Sequence, residues 1–429
     1  MAHTLAITLC TFLLPIGVQN DGVSDAQPVN EIPVFRFELV TPGGALPFTK
    51  QSTGAVYMSQ PPGGPVELRN GDEIIMVDEF ANGFPDDPYF NVYDNRIEFP
   101  AFAATLHWTY NWENGAGVYS KRRGESIAKV PFTVERVASV HDRFERKHPL
   151  DPDAITAIDG RWVVDFANAE DEALGIFEVN DEGLATGTFL TTTGDYRFLE
   201  GVVDGSTLKL SCFDGGHAFL FHADLNDDRS LTGDFWSGNW YHDTWTATPA
   251  PEGYSMPDAF ALTEWTGDDP GIGLDDLVFK DLAGVERSVG KMIEGEPAII
   301  EVFGSWCPNC HDAAKAVKDL QDKYGITVVG LAFELTDEHS RSSRHVRLFQ
   351  LKHGAEWPIL IAGTSDKGEA SERLPVFDEL RSYPTTLFVR ADGTVAALHT
   401  GFTGPAAPHE HAELLARWDA IVRDLVEGE

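Results

Sequence analysis

Two cysteines separated by two residues stand where an apolar strand pattern gives way to a helical one, in Phe303-Gly304-Ser305-Trp306-Cys307-Pro308-Asn309-Cys310. The run Ala298-Ile299-Ile300-Glu301-Val302-Phe303 precedes them, and a helical pattern from His311 to Tyr324 follows. Thiols spaced this way can close a small disulfide ring and reopen it. Cys307 falls at the helix start, where unpaired backbone N–H groups and the helix dipole favour a thiolate. A thiolate attacks a foreign disulfide, and Cys310 then resolves the mixed disulfide. The competing readings are a structural disulfide, half of a zinc site, or chance. So short a ring closes little chain and gains little loop entropy. A zinc site needs about four ligands. Outside the pair only Cys10 and Cys212 remain, and His311 is adjacent in sequence and poorly placed to complete a tetrahedron. In a strand–helix setting the spacing is a redox signature, and no metal or cofactor is implied.

At 429 residues the chain is too long for one ordinary core, so two or three domains are expected. The net charge of −36 argues against nucleic acid as a partner, since no basic cluster exceeds Lys121-Arg122-Arg123. Such acidity keeps a surface soluble, fits a saline setting, and favours basic partners over acidic ones. Leu5 to Val18 is an apolar run too short to span a bilayer comfortably, and Ser24-Asp25-Ala26 supplies small residues for cleavage. Residues 1–26 are therefore expected to be a signal peptide, although no Lys or Arg precedes Leu5. The expected product is a soluble protein exported to the periplasm or cell envelope, with no stable membrane span after cleavage.

Short alternating segments separated by Gly, Asn, Asp and Pro fill the first 250 residues. Val34 to Leu39, Glu73 to Val77, Arg96 to Phe99, Ala104 to Trp108, Gly117 to Ser120 and Lys129 to Val134 read as strands in residues 27–148. His141 to Asp153 is a charged connection. A second set runs from Arg161-Trp162-Val163-Val164-Asp165-Phe166 to Asp243-Thr244-Trp245-Thr246-Ala247, within residues 149–250. This pattern suggests a sandwich or barrel. The two blocks are faintly alike, as two half-barrels completing one another or as two tandem β modules. Residues 251–270 form a linker.

From 271 to 429 strands and helices alternate. Val278 to Leu282, the Cys-bearing strand, the continuous apolar run Ile326 to Phe333 and Pro358 to Ile361 are strands; such runs suit a parallel sheet. Ser340 to His353, a short segment from Leu374 to Leu380, and His409 to Val426 read as helices. Thr386 to Val389 and Val395 to His399 form a hairpin over Asp392-Gly393.

The order strand, Trp306-Cys307-Pro308-Asn309-Cys310, helix, strand with Val328-Val329-Gly330-Leu331, helix, then Tyr383-Pro384-Thr385 before a hairpin resembles the thioredoxin fold. In finer detail it resembles the TlpA/ResA-like exported thiol–disulfide oxidoreductases. The resemblance covers residues 271–429 and gives no family for residues 27–250. The expected architecture is multidomain, an N-terminal all-β part followed by a C-terminal α/β thioredoxin fold.

The resemblance implies that Cys307 is the nucleophile and Cys310 the resolving thiol. Pro384 would be the cis-proline facing the disulfide, turning the Tyr383 backbone toward an incoming peptide. Trp306 would shield one side, and Trp306, Tyr383 and Pro308 would border the substrate. Glu301 takes a position that carries a buried acid beneath the active site in this fold, where desolvation raises its pKa and suits it to exchange a proton with Cys310. Glu334 is a weaker second acid. His311 reads as a tuning charge or as a solvated first-turn histidine, and Asn309 shapes the ring. Cys212 reads as a buried inert thiol.

The expected activity is protein-disulfide reduction, with protein thiol or disulfide clients, an upstream redox partner, and the β modules recognising a client or partner. A peroxiredoxin-like peroxidase needs a Pro-x-x-x-Thr-x-x-Cys context that is missing here. A binding or assembly protein would rest on the aromatic stretch Phe235 to Trp245, which equally suits a β core.

Overall fold

Alternation is what builds the first two thirds of the chain. In a strand, residues two apart share a face, and in the computed structural model Trp162, Val164 and Phe166 are buried, while Arg161 before them and Asp165 between the last two are exposed. The structure describes residues 34–42, 50–59, 65–70, 73–77, 79–83, 93–111, 114–123, 126–137, 142–267 and 272–428. The apolar N-terminal run with Cys10, its cleavage site and the 270/271 boundary lie outside these residues. Among the described residues no helix is long and apolar enough to cross a membrane.

The first unit is one antiparallel sheet of β1 (Val34–Pro42), β2 (Lys50–Ser59), β3 (Glu67–Asn70), β4 (Glu73–Met76), β5 (Glu79–Gly83), β6 (Tyr93–Phe99), β7 (Ala104–Asn111), β8 (Asn114–Arg123) and β9 (Ser126–Val137). The strand order is 4-3-2-1-9-8-7-6-5. Its core includes Phe37, Trp108, Tyr119 and Phe132.

The second unit opens with α1 (Pro152–Ile158), in a segment read from sequence as ending a connection. The local signals fit a helix: Asp151 caps it, accepting from the N–H groups of Asp153 and Ala154, and Pro152 stands in the first turn. Then follow β10 (Gly160–Phe166), β11 (Ala173–Val179), β12 (Leu184–Thr191), β13 (Gly194–Asp195), β14 (Leu199–Asp204), β15 (Thr207–Phe213), β16 (Ala218–Leu225), β17 (Leu231–Ser237) and β18 (Tyr241–Pro249). β12 pairs with β11, β13 and β14, each strand from β14 to β18 pairs with the next, and β10 pairs with both β11 and β18, so the sheet closes into a barrel. Aromatic rings fill it. Phe221 stacks on Phe189 with centroids 4.5 Å apart and on Phe235 at 4.4 Å. Of the aromatic stretch, Phe235 and Trp245 belong to the barrel core, and Trp236 is buried in a separate cluster with Phe144, Val202 and Leu220. Among the described residues neither unit lends a strand to the other, which sets aside completion of one barrel by two halves. What they share is topological: in each, the first strand pairs with the last.

The third unit holds β19 (Val278–Asp281), β20 (Glu286–Ser288), α2 (Val289–Met292), β21 (Ala298–Phe303), α3 (Pro308–Tyr324), β22 (Thr327–Glu334), α4 (His339–His353), β23 (Ile359–Thr364), α5 (Lys367–Arg373), β24 (Thr385–Val389), β25 (Val395–Thr400) and α6 (Pro408–Glu427). The order is 20-19-23-22-21-24-25, with β21, β22 and β23 parallel and β24 antiparallel to β21. Every residue of β21 is buried. The helix expected over Leu374 to Leu380 is a correction: the helix is α5, and turns follow it. Asp366 caps α5 by accepting from the Glu369 N–H. Pro375 disfavours helical geometry at Leu374, which ends it. The connection before this unit is pinned rather than free, since the Thr266 N–H donates to the Val376 carbonyl at 2.8 Å and the Thr400 N–H to that of Ala259 at 3.0 Å.

Candidate active site

The buried strand β21 ends at a tight turn into α3. A Cβ on Gly304 would lie 2.9 Å from the Phe333 carbonyl oxygen, so only glycine fits there. Cys307 is the N-cap of α3 and Pro308 occupies its first turn, where a missing N–H costs nothing. The preceding loop is staked to the end of β22. Ser305 donates from its N–H (2.9 Å) and its hydroxyl (2.7 Å) to the two carboxylate oxygens of Glu334. The Trp306 indole N–H donates to the Phe333 carbonyl at 2.9 Å.

The opposite wall is the segment before β24. The Tyr383–Pro384 peptide bond is cis. The Cys307 thiol faces the Tyr383 carbonyl at 3.5 Å, and the Tyr383 ring meets Trp306 edge-on at 5.7 Å. Burial pushes the Tyr383 phenol well up, and the charge of Cys310 acts in the same direction. Cys307 and Cys310 are free thiols, 7% and 1% exposed. Burial drives the Cys310 thiol well above its ordinary range; the hydrogen bond and charge of Cys307, and the charge of Glu301, push the same way.

Glu301 lies beneath the pair on β21, in register with Gly330 on one side and Thr386 on the other. Burial pushes its carboxyl up to about 8, against the Thr386 hydroxyl, which donates to Oε2 at 2.8 Å. Oε1 has no hydrogen-bond partner among the described residues. A carboxyl of that pKa behind a buried thiol can take up and return a proton near neutral pH. Glu334 is also raised by burial, to about 6, with the two Ser305 bonds opposing.

The structure thus brings Glu301, Trp306, Cys307, Pro308, Cys310, Tyr383 and Pro384 to one end of the sheet. His311 is partly buried rather than free in solvent. Burial pushes its imidazole well down, its Nε2 lies 2.9 Å from the Ser305 carbonyl and its Nδ1 2.6 Å from His353. Cys212 sits far off in β15, fully buried, where desolvation drives its thiol up. Ser305 and Thr386 escaped the sequence reading. The register of β21 against β24 would have shown Thr386; the Ser305–Glu334 bond left no local signal. Among the described residues no group of three His, Cys, Asp or Glu side chains is placed to hold a metal.

No family model matches the chain. The thioredoxin-like protein YneN of Bacillus subtilis is 27% identical over 126 residues, 29% of this chain and 68% of the relative. The thiol-disulfide oxidoreductase ResA of Halalkalibacterium halodurans is 25% identical over 144 residues, 32% of this chain and 73% of the relative. Among solved structures, a thiol:disulfide interchange protein of the thioredoxin family from Chlorobium tepidum is 20% identical with a TM-score of 0.27, over 35% of this chain and 92% of that one. A secreted Mycobacterium tuberculosis disulfide oxidoreductase is 21% identical with a TM-score of 0.25, over 32% and 94%. The part of the chain built around Cys307 and Cys310 is a TlpA/ResA-like thioredoxin-fold domain, the domain of a thiol–disulfide oxidoreductase.

Proposed function

We propose that this chain is an exported protein-disulfide reductase working through Cys307 and Cys310. The observation that carries the reading is the stacking of three groups. Cys307 faces the Tyr383 carbonyl at the surface end, Cys310 is buried behind it on the same helix, and the Glu301 carboxyl lies below with one oxygen unpartnered.

The thiolate of Cys307 attacks one sulfur of a client disulfide. The client S–S bond breaks, a mixed disulfide forms, and the other client sulfur leaves as a thiolate that takes a proton. Cys310, its proton passed to Glu301, attacks the Cys307 sulfur; the mixed disulfide breaks, the Cys307–Cys310 disulfide forms, and the second client sulfur leaves as a thiolate that takes up a proton as Glu301 gives its own back. The enzyme loses two electrons and two protons, and the client gains them. A dithiol donor protein upstream restores the reduced pair. Trp306, Pro308 and the Tyr383–Pro384 edge would border the client, and an extended segment would lie along that edge. Residues 27–148 and 149–250 would be recognition modules, 251–270 their connection to the redox domain at 271–429, and 1–26 an export signal.

The test is a redox titration of the pair against glutathione and dithiothreitol, with Cys307→Ser as control. A reversible two-electron couple well below the glutathione range supports a reductase. A high potential redirects the reading to an oxidase or isomerase. No reversible couple would sink it.

A further inference from the structure

The barrel covers the face on which an extended client would lie. The turn between β12 and β13 carries Thr192 and Thr193 to the cis-proline segment, where the Ser382 hydroxyl donates to the Thr193 carbonyl at 3.1 Å. Gly401 lies under the same carbonyl, and a Cβ there would overlap its oxygen. Gly194 packs so tightly on the Asn309 amide, between the two cysteines, that a Cβ would collide with it. The Asp195 carboxylate accepts the Gly404 N–H at 2.5 Å.

This seating is anchored from behind. Arg197, 5% exposed, donates to Asp312 on α3 and to Glu73 on β4 at 3.0 Å, and faces Asp214 of the barrel at 3.6 Å. Its guanidinium thereby joins all three units within one turn of Cys310. A buried cation held by that many carboxylates has a fixed place. The hairpin therefore rests on the N-terminal turn of α3, on the cis-proline segment and on the loop after β25, all of which frame the redox pair.

We propose that the Thr191–Asp195 hairpin is a specificity element of the redox site. While it is seated, low-molecular-weight disulfides reach Cys307, and extended polypeptide is held off the Tyr383–Pro384 edge. A protein client must displace it, which makes the β modules gatekeepers as well as recognition surfaces. This rests on Cys307 being the attacking thiol, but it concerns access rather than potential.

The experiment compares alkylation of Cys307 in the reduced full-length protein by iodoacetamide and by a polymer-linked maleimide, each relative to a cysteine peptide. Gly194→Trp wedges the hairpin off Asn309, and Asp312→Asn weakens its anchor. The wild-type protein is expected to disfavour the bulky reagent at least about tenfold more than the small one, since thiol reactivity tracks access. Either variant that folds should recover most of that factor, with iodoacetamide changed less than about twofold. Insulin reduction should rise in parallel while reduction of glutathione disulfide stays level. A wild-type protein without size discrimination overturns the proposal whether or not the variants fold. So does discrimination that persists in a folded Gly194→Trp protein. A missing redox couple would instead sink the reductase reading and leave the size ratio standing.

Discussion

Thr386 and Glu301 face each other across the β21–β24 ladder, and the Thr386 hydroxyl donates to Glu301 Oε2 at 2.8 Å. One donor is too little for a buried carboxylate, which has about four lone-pair sites to satisfy. The neutral acid is the cheaper occupant, and burial accordingly lifts Glu301 to about 8.

That lift sets a pH dependence whose sign is fixed. Between the ordinary value of 4.5 and about 8 the folded protein holds a proton that the unfolded chain releases. Stability attributable to Glu301 therefore falls as pH rises through this window, and the loss is complete above it. Glu301→Gln keeps an acceptor for Thr386 and removes the titration. Reduced wild type and variant should be close in stability at pH 5. They should diverge at up to about 1.4 kcal/mol per pH unit toward pH 8, with the variant the more stable. Denaturant midpoints at four pH values measure this, and parallel curves would show that Glu301 does not titrate there. Under the proposed proton transfer, the same variant should also slow release of the mixed disulfide, because it removes the carboxylate that would take the Cys310 proton.

The two thiols should separate by chemistry. Cys310 is nearly inaccessible and its thiol is raised, chiefly by burial. Iodoacetamide should label Cys307 and leave Cys310 intact in the folded protein, as peptide mapping would show. Cys310→Ser should accumulate a mixed disulfide with client, visible on non-reducing gels, whereas Cys307→Ser should form none and reduce insulin only at background rate.

Glu334 is expected to act as a brace. Glu334→Ala strands the Ser305 N–H and hydroxyl in a buried site, at about 1–3 kcal/mol for each unsatisfied group. A loss of about 2–4 kcal/mol in denaturant unfolding is expected, with Ser305→Ala costing less and the double variant less than the sum. Additive losses would mean the pair does not work as a unit.

The arrangement around Cys307 and Cys310 was legible because its signals are local. A Cys-x-x-Cys after an apolar strand, an acid inside that strand and a Tyr-Pro-Thr before a hairpin each lie within a few residues. The strands of the β units were legible where burial alternates, as in Trp162, Val164 and Phe166. Closure of the barrel was not, because the β10–β18 pairing joins residues some eighty positions apart and the alternation on either strand does not name its partner. The short strands β3, β5 and β20 carried too little pattern to register. Helix α5 was misplaced because the apolar Leu374, Val376 and Leu380 suggested a helical face, while the decisive signals were Asp366 before it and Pro375 after it. Arg197 and Thr193 gave no sequence sign of lying beside Cys307 and Cys310, since their partners on α3 and the cis-proline segment lie more than a hundred residues away.

Asn70 offers a test of whether the two β units unfold together. It lies fully buried at the end of β3, where its carbonyl oxygen accepts from the Arg143 guanidinium at 3.1 Å and from the Phe213 N–H at 2.8 Å. Its amide donates to the Phe198 carbonyl at 3.1 Å. One side chain on the first sheet thus satisfies two backbone groups of the barrel, and Arg143 carries the link onward to Ser211 at 2.5 Å. Asn70→Ala should cost about 2–4 kcal/mol, since it leaves a buried N–H, a carbonyl and part of a guanidinium unsatisfied together. Loss of the bridge should also split denaturation, with the first sheet melting before the barrel, because the barrel closes on its own strands and fills itself with its own aromatic core. Tryptophan fluorescence reports both, through Trp108 in the sheet and Trp162 and Trp245 in the barrel. A single unshifted transition in the variant would show that the two units are coupled by their packed faces, Phe99 on Phe213 and Tyr119 on Phe213, rather than by this polar bridge.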